Sequence, residues 1–152
     1  MSSGQFDNER SPDDNFMKLA VVESRKSEDP VTKVGACIVK ENKKIVGRGY
    51  NTMPNGCDFP WHKKQPNEVD NKKYYVCHAE LNAVLSAETI ADLKDCTIYV
   101  TLFPCNECAK IIIQVGIKEV VYLSDKYKYK NHTIASRRML DAAGVKYRQH
   151  LL

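Results

Sequence analysis

His78-Ala79-Glu80 and Pro104-Cys105-Asn106-Glu107-Cys108 place the strongest constraint on what this chain can fold into. Cys105 and Cys108 sit three apart, so at the start of a helix their sulfurs share one face. With His78 they make two thiolates and an imidazole, a donor set that favours zinc. Three protein ligands leave the fourth tetrahedral position to water, which separates a catalytic zinc from a closed structural one. The fold must therefore carry His78 to both cysteines and hold Glu80 beside them, where a carboxylate can move the proton of that water. Mid-helix residues two apart point in opposite directions, so His78 is assigned to the metal and Glu80 to the water and substrate.

Both halves fall at predicted helix starts, where unpaired N–H groups carry partial positive charge and favour thiolate. Pro104 suits such a start, because its missing N–H has no partner there anyway. A structural zinc site is the competing reading. Such sites use a second matching Cys or His pair, whereas adjacent Cys77 and His78 diverge from any common centre. A catalytic zinc lowers the pKa of its bound water toward about 7. Glu80 then takes the water's proton, passes it to a ring nitrogen, and later protonates the leaving amine, so the constellation supports hydrolytic deamination of a cyclic amidine.

At 152 residues the chain is long enough for one domain with a single core. We expect a flexible N-terminus over residues 1–15 and a catalytic domain over 16–152. No apolar run approaches the roughly 20 residues of a membrane span, so no membrane association is expected. Met1 to Asn15 is polar and acidic without an apolar segment, so the expected address is cytoplasmic. In a reducing compartment the six cysteines are expected free, buried or metal-bound. Cys37 and Cys96 read as small buried side chains. Cys57, His62 and Cys77 are the alternative for a second metal, at irregular spacing. From Lys118 to Leu152 there are 8 Lys/Arg against 3 Asp/Glu, a net of +5, against −1 for the rest. That suits an anionic ligand, and equally a solvated face.

Apolar spacing predicts a helix over Asp13–Ser27, with Phe16, Leu19, Ala20 and Glu23 on one side, stopped by Asp29-Pro30. Strands Gly35–Lys40 and Ile45–Tyr50 read as a hairpin about the turn Glu41–Lys44. Asn51 to Tyr74 is a long polar stretch, either a substrate-gating or effector loop or a plain surface loop. A helix over His78–Ala87 shows Leu81, Val84 and Leu85 to one side. Strand Thr97–Leu102, helix Cys105–Val115, strand Glu119–Leu123, a helix over Thr133–Ala143 ending at Gly144, and strand Val145–Arg148 complete the chain. This order argues for an α/β sandwich with helices on both faces of a mixed sheet.

The chain resembles the cytidine deaminase superfamily, and within it the deoxycytidylate (dCMP) deaminases. The likeness runs through Val34-Gly35-Ala36-Cys37-Ile38-Val39, Gly47-x-Gly49-Tyr50-Asn51 and Met53-Pro54-Asn55-Gly56. It continues in Tyr75-Val76-Cys77-His78-Ala79-Glu80-Leu81-Asn82-Ala83, Leu102-Phe103-Pro104-Cys105-Asn106-Glu107-Cys108-Ala109-Lys110, Gly116–Val120 and Ser124-Asp125-Lys126-Tyr127. It covers roughly Phe16 to Tyr147. The resemblance implies a three-layer α/β/α sandwich with a five-stranded mixed sheet. It also implies one Zn2+ per subunit, conversion of dCMP to dUMP for thymidylate synthesis, and a homohexamer. Activation by dCTP and inhibition by dTTP belong to the same expectation, with Mg2+ accompanying the triphosphate.

By the same resemblance His78, Cys105 and Cys108 match zinc ligands and Glu80 the proton shuttle. Asn51 matches an asparagine that hydrogen-bonds the sugar, or is simply a turn residue after a strand. The backbone of Ala79 matches a pyrimidine contact. For the 5′-phosphate Arg25 is the first candidate, since a guanidinium offers paired donors, though exposed arginine near a helix end is ordinary. Tyr127 and Lys126 follow, and Tyr127 reads equally as a packed tyrosine. The chain departs from relatives at Thr52, where they often have glycine. Threonine tolerates positive φ poorly, which bears on effector control rather than catalysis.

The rivals are a deaminase acting on a nucleoside, on guanine, or on a base in nucleic acid, and a catalytically dead zinc-stabilised binding protein. Polynucleotide binders need a basic groove and stacking aromatics. Here the single tryptophan is Trp61 and the net charge is +4, so a small nucleotide is expected and nucleic acid is not. Retention of Glu80 beside a full ligand set argues against the dead protein.

Overall fold

The strand Gly35–Lys40 (β1) buries every side chain but the last, so it must lie within a sheet covered on both faces. In the structure, a computed structural model describing residues 11–62 and 64–152, it stands second from one edge of a five-stranded sheet. The others are β2 (Lys44–Tyr50), β3 (Thr97–Leu102), β4 (Glu119–Ser124) and β5 (Lys146–Gln149), in the order β2-β1-β3-β4-β5. β1 runs antiparallel to β2 and β3, while β3, β4 and β5 run parallel. The α-helices are α1 (Pro12–Ser24), α2 (Ala79–Leu85), α3 (Asn106–Gln114) and α4 (Asn131–Ala143). This is the expected α/β/α sandwich on a mixed sheet.

Alternation along the strands assigns the layers. Cys37, Val39, Tyr99 and Val121 pack with Met17 and Ala20 of α1 on one face. Ala36, Ile38, Ile98, Val100 and Val120 pack on the other with Ala83 of α2, Ile112 of α3 and Leu140 of α4. Cys37 and Cys96 are buried, as expected of small apolar side chains. Glu41 and Asn42, at φ 54° and 56°, close the β1–β2 hairpin in the left-handed region. α4 ends on Gly144 at φ 74°.

Two expectations need correction. The first helix opens at Pro12, so Pro12–Asn15 belong to it and not to a free N-terminal segment; residues 1–10 of that segment lie outside the described residues. Asp13 explains the early start: its carboxylate accepts from Tyr99 Oη at 2.5 Å and from Arg148 at 2.7 and 3.0 Å, tying the first turn to β3 and β5. The helix stops at Ser24 and buries Met17, Ala20 and Glu23, leaving Phe16 half-buried against the Tyr99 ring.

The second correction concerns α2. It ends at Leu85, which is 67% exposed, and its buried residues are Ala79, Glu80, Ala83 and Val84 rather than a leucine stripe. The cause lies in the strand beneath. A Cβ on Gly47 would stand 2.4 Å from the carbonyl oxygen of Ala83, and one on Gly49 would stand 2.6 Å from its amide nitrogen. Helix and strand approach backbone to backbone, which small residues on both sides permit and leucine would prevent. Asn82 secures the arrangement, donating from Nδ2 to the Tyr50 carbonyl at 2.8 Å and to Thr52 Oγ1 at 3.0 Å. Since α2 follows directly on His78, this packing sets where the histidine lies.

Gly49→Ala is expected to cost at least about 2 kcal/mol through overpacking, lowering Tm by about 4–8 °C. Thermal denaturation measures it, and an unchanged Tm would contradict the close-approach account.

Candidate active site

His78 and Cys105 are the N-caps of α2 and α3, and neither side chain makes a capping hydrogen bond. That position normally goes to Ser, Thr, Asp or Asn, whose oxygen accepts from the first-turn amides. Here the two side chains turn toward each other instead. Cys105 Sγ lies 3.5 Å from His78 Nδ1, and Cys108 Sγ lies 3.3 Å from the same nitrogen. Zinc bonds of about 2.0–2.1 Å to nitrogen and 2.3 Å to sulfur give a tetrahedral N–S edge of about 3.5 Å. The three donor atoms all lie within 4.8 Å of one another. The set therefore fits a zinc ion held through Nδ1, a choice of ring nitrogen that the sequence did not indicate.

The protons of this cluster are already redistributed. Hydrogen bonding with Cys108, then with His78, takes the Cys105 thiol down to about 3. The bond to Cys105 raises His78 to about 9, and sharing with Cys105 together with burial pushes Cys108 up. A divalent cation takes the place of the shared protons, so binding releases them. Glu80 is 4% exposed, and burial pushes its carboxyl up to about 7.

All of this opens on a cavity of about 220 Å³ lined by His78, Ala79, Glu80 and Cys105 together with Asn51 and Tyr127. Phe103 contributes an apolar wall, held edge-on by Tyr122 and Tyr147. The structure does not bring Arg25 there. It caps the exposed C-terminal end of α1, its amide on the carbonyls of Val21 and Val22, and is absent from the cavity lining. Lys126 lies over the ring of Tyr127, its ammonium 5.1 Å from the centroid. Among the described residues, Cys57, His62 and Cys77 do not gather into a metal-binding group.

Sequence reasoning missed Asp29, Lys72 and Lys73, which line the same cavity. Asp29-Pro30 read as a helix stop, and Lys72 lay in a stretch without periodicity. Lys72 Nζ reaches both Asp29 oxygens, at 2.8 and 2.7 Å, and both residues are buried. Burial pushes the Asp29 carboxyl up, but Lys72 and the amides of Val31 and Thr32 outweigh it and hold it below the usual range. No local pattern links positions this far apart in the chain. The loop between β2 and α2 is thus anchored in the site, with short 3₁₀ turns at Glu68–Asp70 and Lys72–Tyr74.

Thr52 is not under the strain its identity suggested. The described non-glycine residues at positive φ are Glu41, Asn42 and Asp95, so position 52 makes no special demand. It pairs with Cys77 in an antiparallel bridge, through bonds of 3.0 and 2.7 Å, and its hydroxyl accepts from Asn82.

The purified chain is expected to hold one zinc, and Cys108→Ala to hold less than about a tenth as much. Because the ligands must lose protons, affinity should fall as pH drops from 8 to 6. Elemental analysis and metal titration measure both. Full zinc content in Cys108→Ala would contradict the ligand set.

A family model described as "Cytidine and deoxycytidylate deaminase zinc-binding region" matches residues 10–124. Deoxycytidylate deaminase of Mus musculus is 53% identical over 137 residues, 88% of this chain and 76% of the relative. That of Homo sapiens is 50% identical over 139 residues, 90% and 78% respectively. Among solved structures, the dCMP deaminase of cyanophage S-TIM5 in complex with dCMP and dUMP superposes with a TM-score of 0.72 at 28% identity, covering 90% of this chain and 95% of that one. With the three donor atoms gathered beside a cavity that His78, Cys105 and Glu80 line, these matches show that the chain belongs to the cytidine and deoxycytidylate deaminase family.

Proposed function

We propose that this chain hydrolyses dCMP to dUMP and ammonia with one zinc per subunit. The observation that carries the reading is the convergence of the His78, Cys105 and Cys108 donor atoms at a cavity that His78, Cys105 and buried Glu80 line. Relatives about half identical over most of the chain supply the substrate class.

Bound zinc supplies the Lewis acidity that makes a water nucleophilic at neutral pH. The chain's residues do the rest. Glu80 takes the attacking water's proton and places it on the ring nitrogen beside the reacting carbon, then takes the proton of the newly added hydroxyl and gives it to the amine. The C–N bond breaks to release ammonia and leaves the carbonyl of dUMP. A carboxyl raised toward neutrality by burial is suited to both giving and taking that proton. Ala79, fully buried in the first turn of α2, lets the pyrimidine lie against the backbone, and Phe103 closes the apolar side.

For the 5′-phosphate the cavity offers Lys73 and Tyr127 rather than Arg25. Lys72 is committed to Asp29. Lys73 pairs with Glu68 at 2.7 Å, but both side chains are more than half exposed. Such a pair contributes little and can give way to phosphate.

The reading extends to regulation and setting. A groove of about 260 Å³ lined by Lys26, Tyr50, Thr52, Asn55 and Trp61 shares Asn51 with the catalytic cavity. A triphosphate seated there, dCTP with Mg2+ as activator or dTTP as inhibitor, would act on a residue of the site itself. A homohexamer supplying dUMP for thymidylate synthesis in the cytoplasm is the corresponding setting. Among the described residues no helix is long and apolar enough to cross a membrane.

Ammonia release tests the proposal. Wild type should prefer dCMP to deoxycytidine, and Glu80→Gln should keep its zinc while losing about 10²–10⁴-fold in kcat. No turnover of dCMP by zinc-loaded wild type would sink it. Loss of a charge-assisted contact in Lys73→Ala should raise KM for dCMP about tenfold and leave deoxycytidine unchanged. Equal losses on both substrates would remove Lys73 from the phosphate. Rate curves unmoved by dCTP and dTTP would reject regulation.

A further inference from the structure

Two walls of the catalytic cavity come from different parts of the chain. Phe103 stands just past the end of β3, and Tyr127 lies in the connection between β4 and α4. Phe103 is buried, and its amide donates to the Ser124 carbonyl at 2.9 Å, so the sheet sets its place. Tyr127 belongs to no strand or helix. Residues 125–130 form two consecutive turns, with the Lys128 amide on the Asp125 carbonyl at 3.0 Å and the Lys130 amide on the Tyr127 carbonyl at 2.9 Å. The Tyr127 ring meets that of His132 edge-on, 6.2 Å between centroids. Such turns fix the local bend of the loop, but not where the bend lies over the cavity.

Arg137, midway along α4, reaches the loop from behind that bend. Its Nη2 donates to the Lys128 carbonyl at 2.8 Å, and its Nη1 lies 3.8 Å from Asp125 Oδ2. Its guanidinium carbon stands 5.9 Å from the centroid of the Phe103 ring. One planar cation therefore holds the chain on both sides of Tyr127 while resting on the other wall. A guanidinium can do this because its donors form a rigid fork and its face packs on an aromatic ring. The pair with Asp125 is a poor source of stability. Among the described residues, Asp125 Oδ1 and Arg137 Nη1 are buried without a hydrogen-bond partner. Partly desolvated charges with unpaired atoms seldom add net stability. What the contact supplies is position.

We propose that Arg137 is a positioning residue that holds the β4–α4 loop against Phe103 and so sets Tyr127 where the nucleotide binds. The proposal rests on the deaminase reading, and it gives part of the grip on the nucleotide to a residue that does not itself line the cavity. Without the guanidinium the two turns keep their own hydrogen bonds but lose their tie to α4 and to the Phe103 wall. A small displacement of a substrate-positioning group is enough to weaken binding. Glu80 and the metal ligands lie on α2 and α3 and at their starts, so their arrangement is left as it is.

The test uses the full zinc-loaded chain, with dCMP turnover and dUMP binding measured side by side. Arg137→Met keeps an apolar stem but loses every donor. It should raise KM for dCMP and Kd for dUMP about tenfold, with kcat and zinc content within about twofold of wild type. Tyr127→Ala should weaken dUMP binding about fivefold or more in the wild-type background, and less than about twofold in Arg137→Met, because a displaced loop has already lost that contact. Arg137→Lys has one compact ammonium in place of the fork, so its Kd should lie nearer to Arg137→Met than to wild type. A merely structural arginine would lower Tm while the effects of the two substitutions multiplied in full, which overturns the proposal. Wild-type Kd in Arg137→Met also overturns it, as does Tyr127→Ala without effect on the wild type. Should Arg137→Met fail to fold, Arg137→Lys with and without Tyr127→Ala completes the same cycle. In each of these outcomes the deaminase reading stands. Wild type that releases no ammonia from dCMP overturns both.

Discussion

Two helices begin at the same point in this molecule, and each begins with a metal-binding side chain where a capping residue would normally stand. His78 precedes α2 and Cys105 precedes α3, with Cys108 one turn further on. Giving up the caps costs about 1 kcal/mol each by the usual measure, and the helix starts leave positive potential over the site. That potential suits thiolates and a developing negative charge on a substrate. The rest of the structure serves this meeting. Glycines in β2 let α2 lie flat on the strand, Asn82 fastens it there, and the parallel strands β3 and β4 deliver α3 from behind.

A second polar cluster lines the same cavity. Asp29, Lys72 and Asn51 form a buried network in which the partners of the charged and amide groups are satisfied inside the protein. Fully satisfied networks of this type specify a unique arrangement more than they add stability. Here the network binds three separate chain segments.

Much of this was legible in the sequence, for identifiable reasons. Metal ligands announce themselves through residue type and spacing, so His78, Cys105, Cys108 and Glu80 were found together, and the structure gathers them. Alternating apolar strands and a glycine stop gave the sandwich. What stayed hidden depends on distant pairing. Nothing near Lys72 points to Asp29, and nothing near Leu85 says that glycines on another strand reserve the buried face of α2 for alanines. Arg25 was attractive because guanidinium suits phosphate, but residue type cannot say whether a side chain near a helix end lines the cavity, and Arg25 does not. Thr52 looked strained only because glycine is common in relatives; its φ lies outside the left-handed region.

The central claim is an open three-ligand zinc at the junction of two helix starts. X-ray absorption at the zinc edge of the purified chain tests it directly. The account predicts two sulfurs at about 2.3 Å, one imidazole nitrogen at about 2.0–2.1 Å and one further light atom that is not a protein ligand. A light scatterer that is displaced when a small anion such as azide is added would confirm the open position. A fourth sulfur or second imidazole, with a first shell indifferent to added anion, would show a closed structural site and contradict the account.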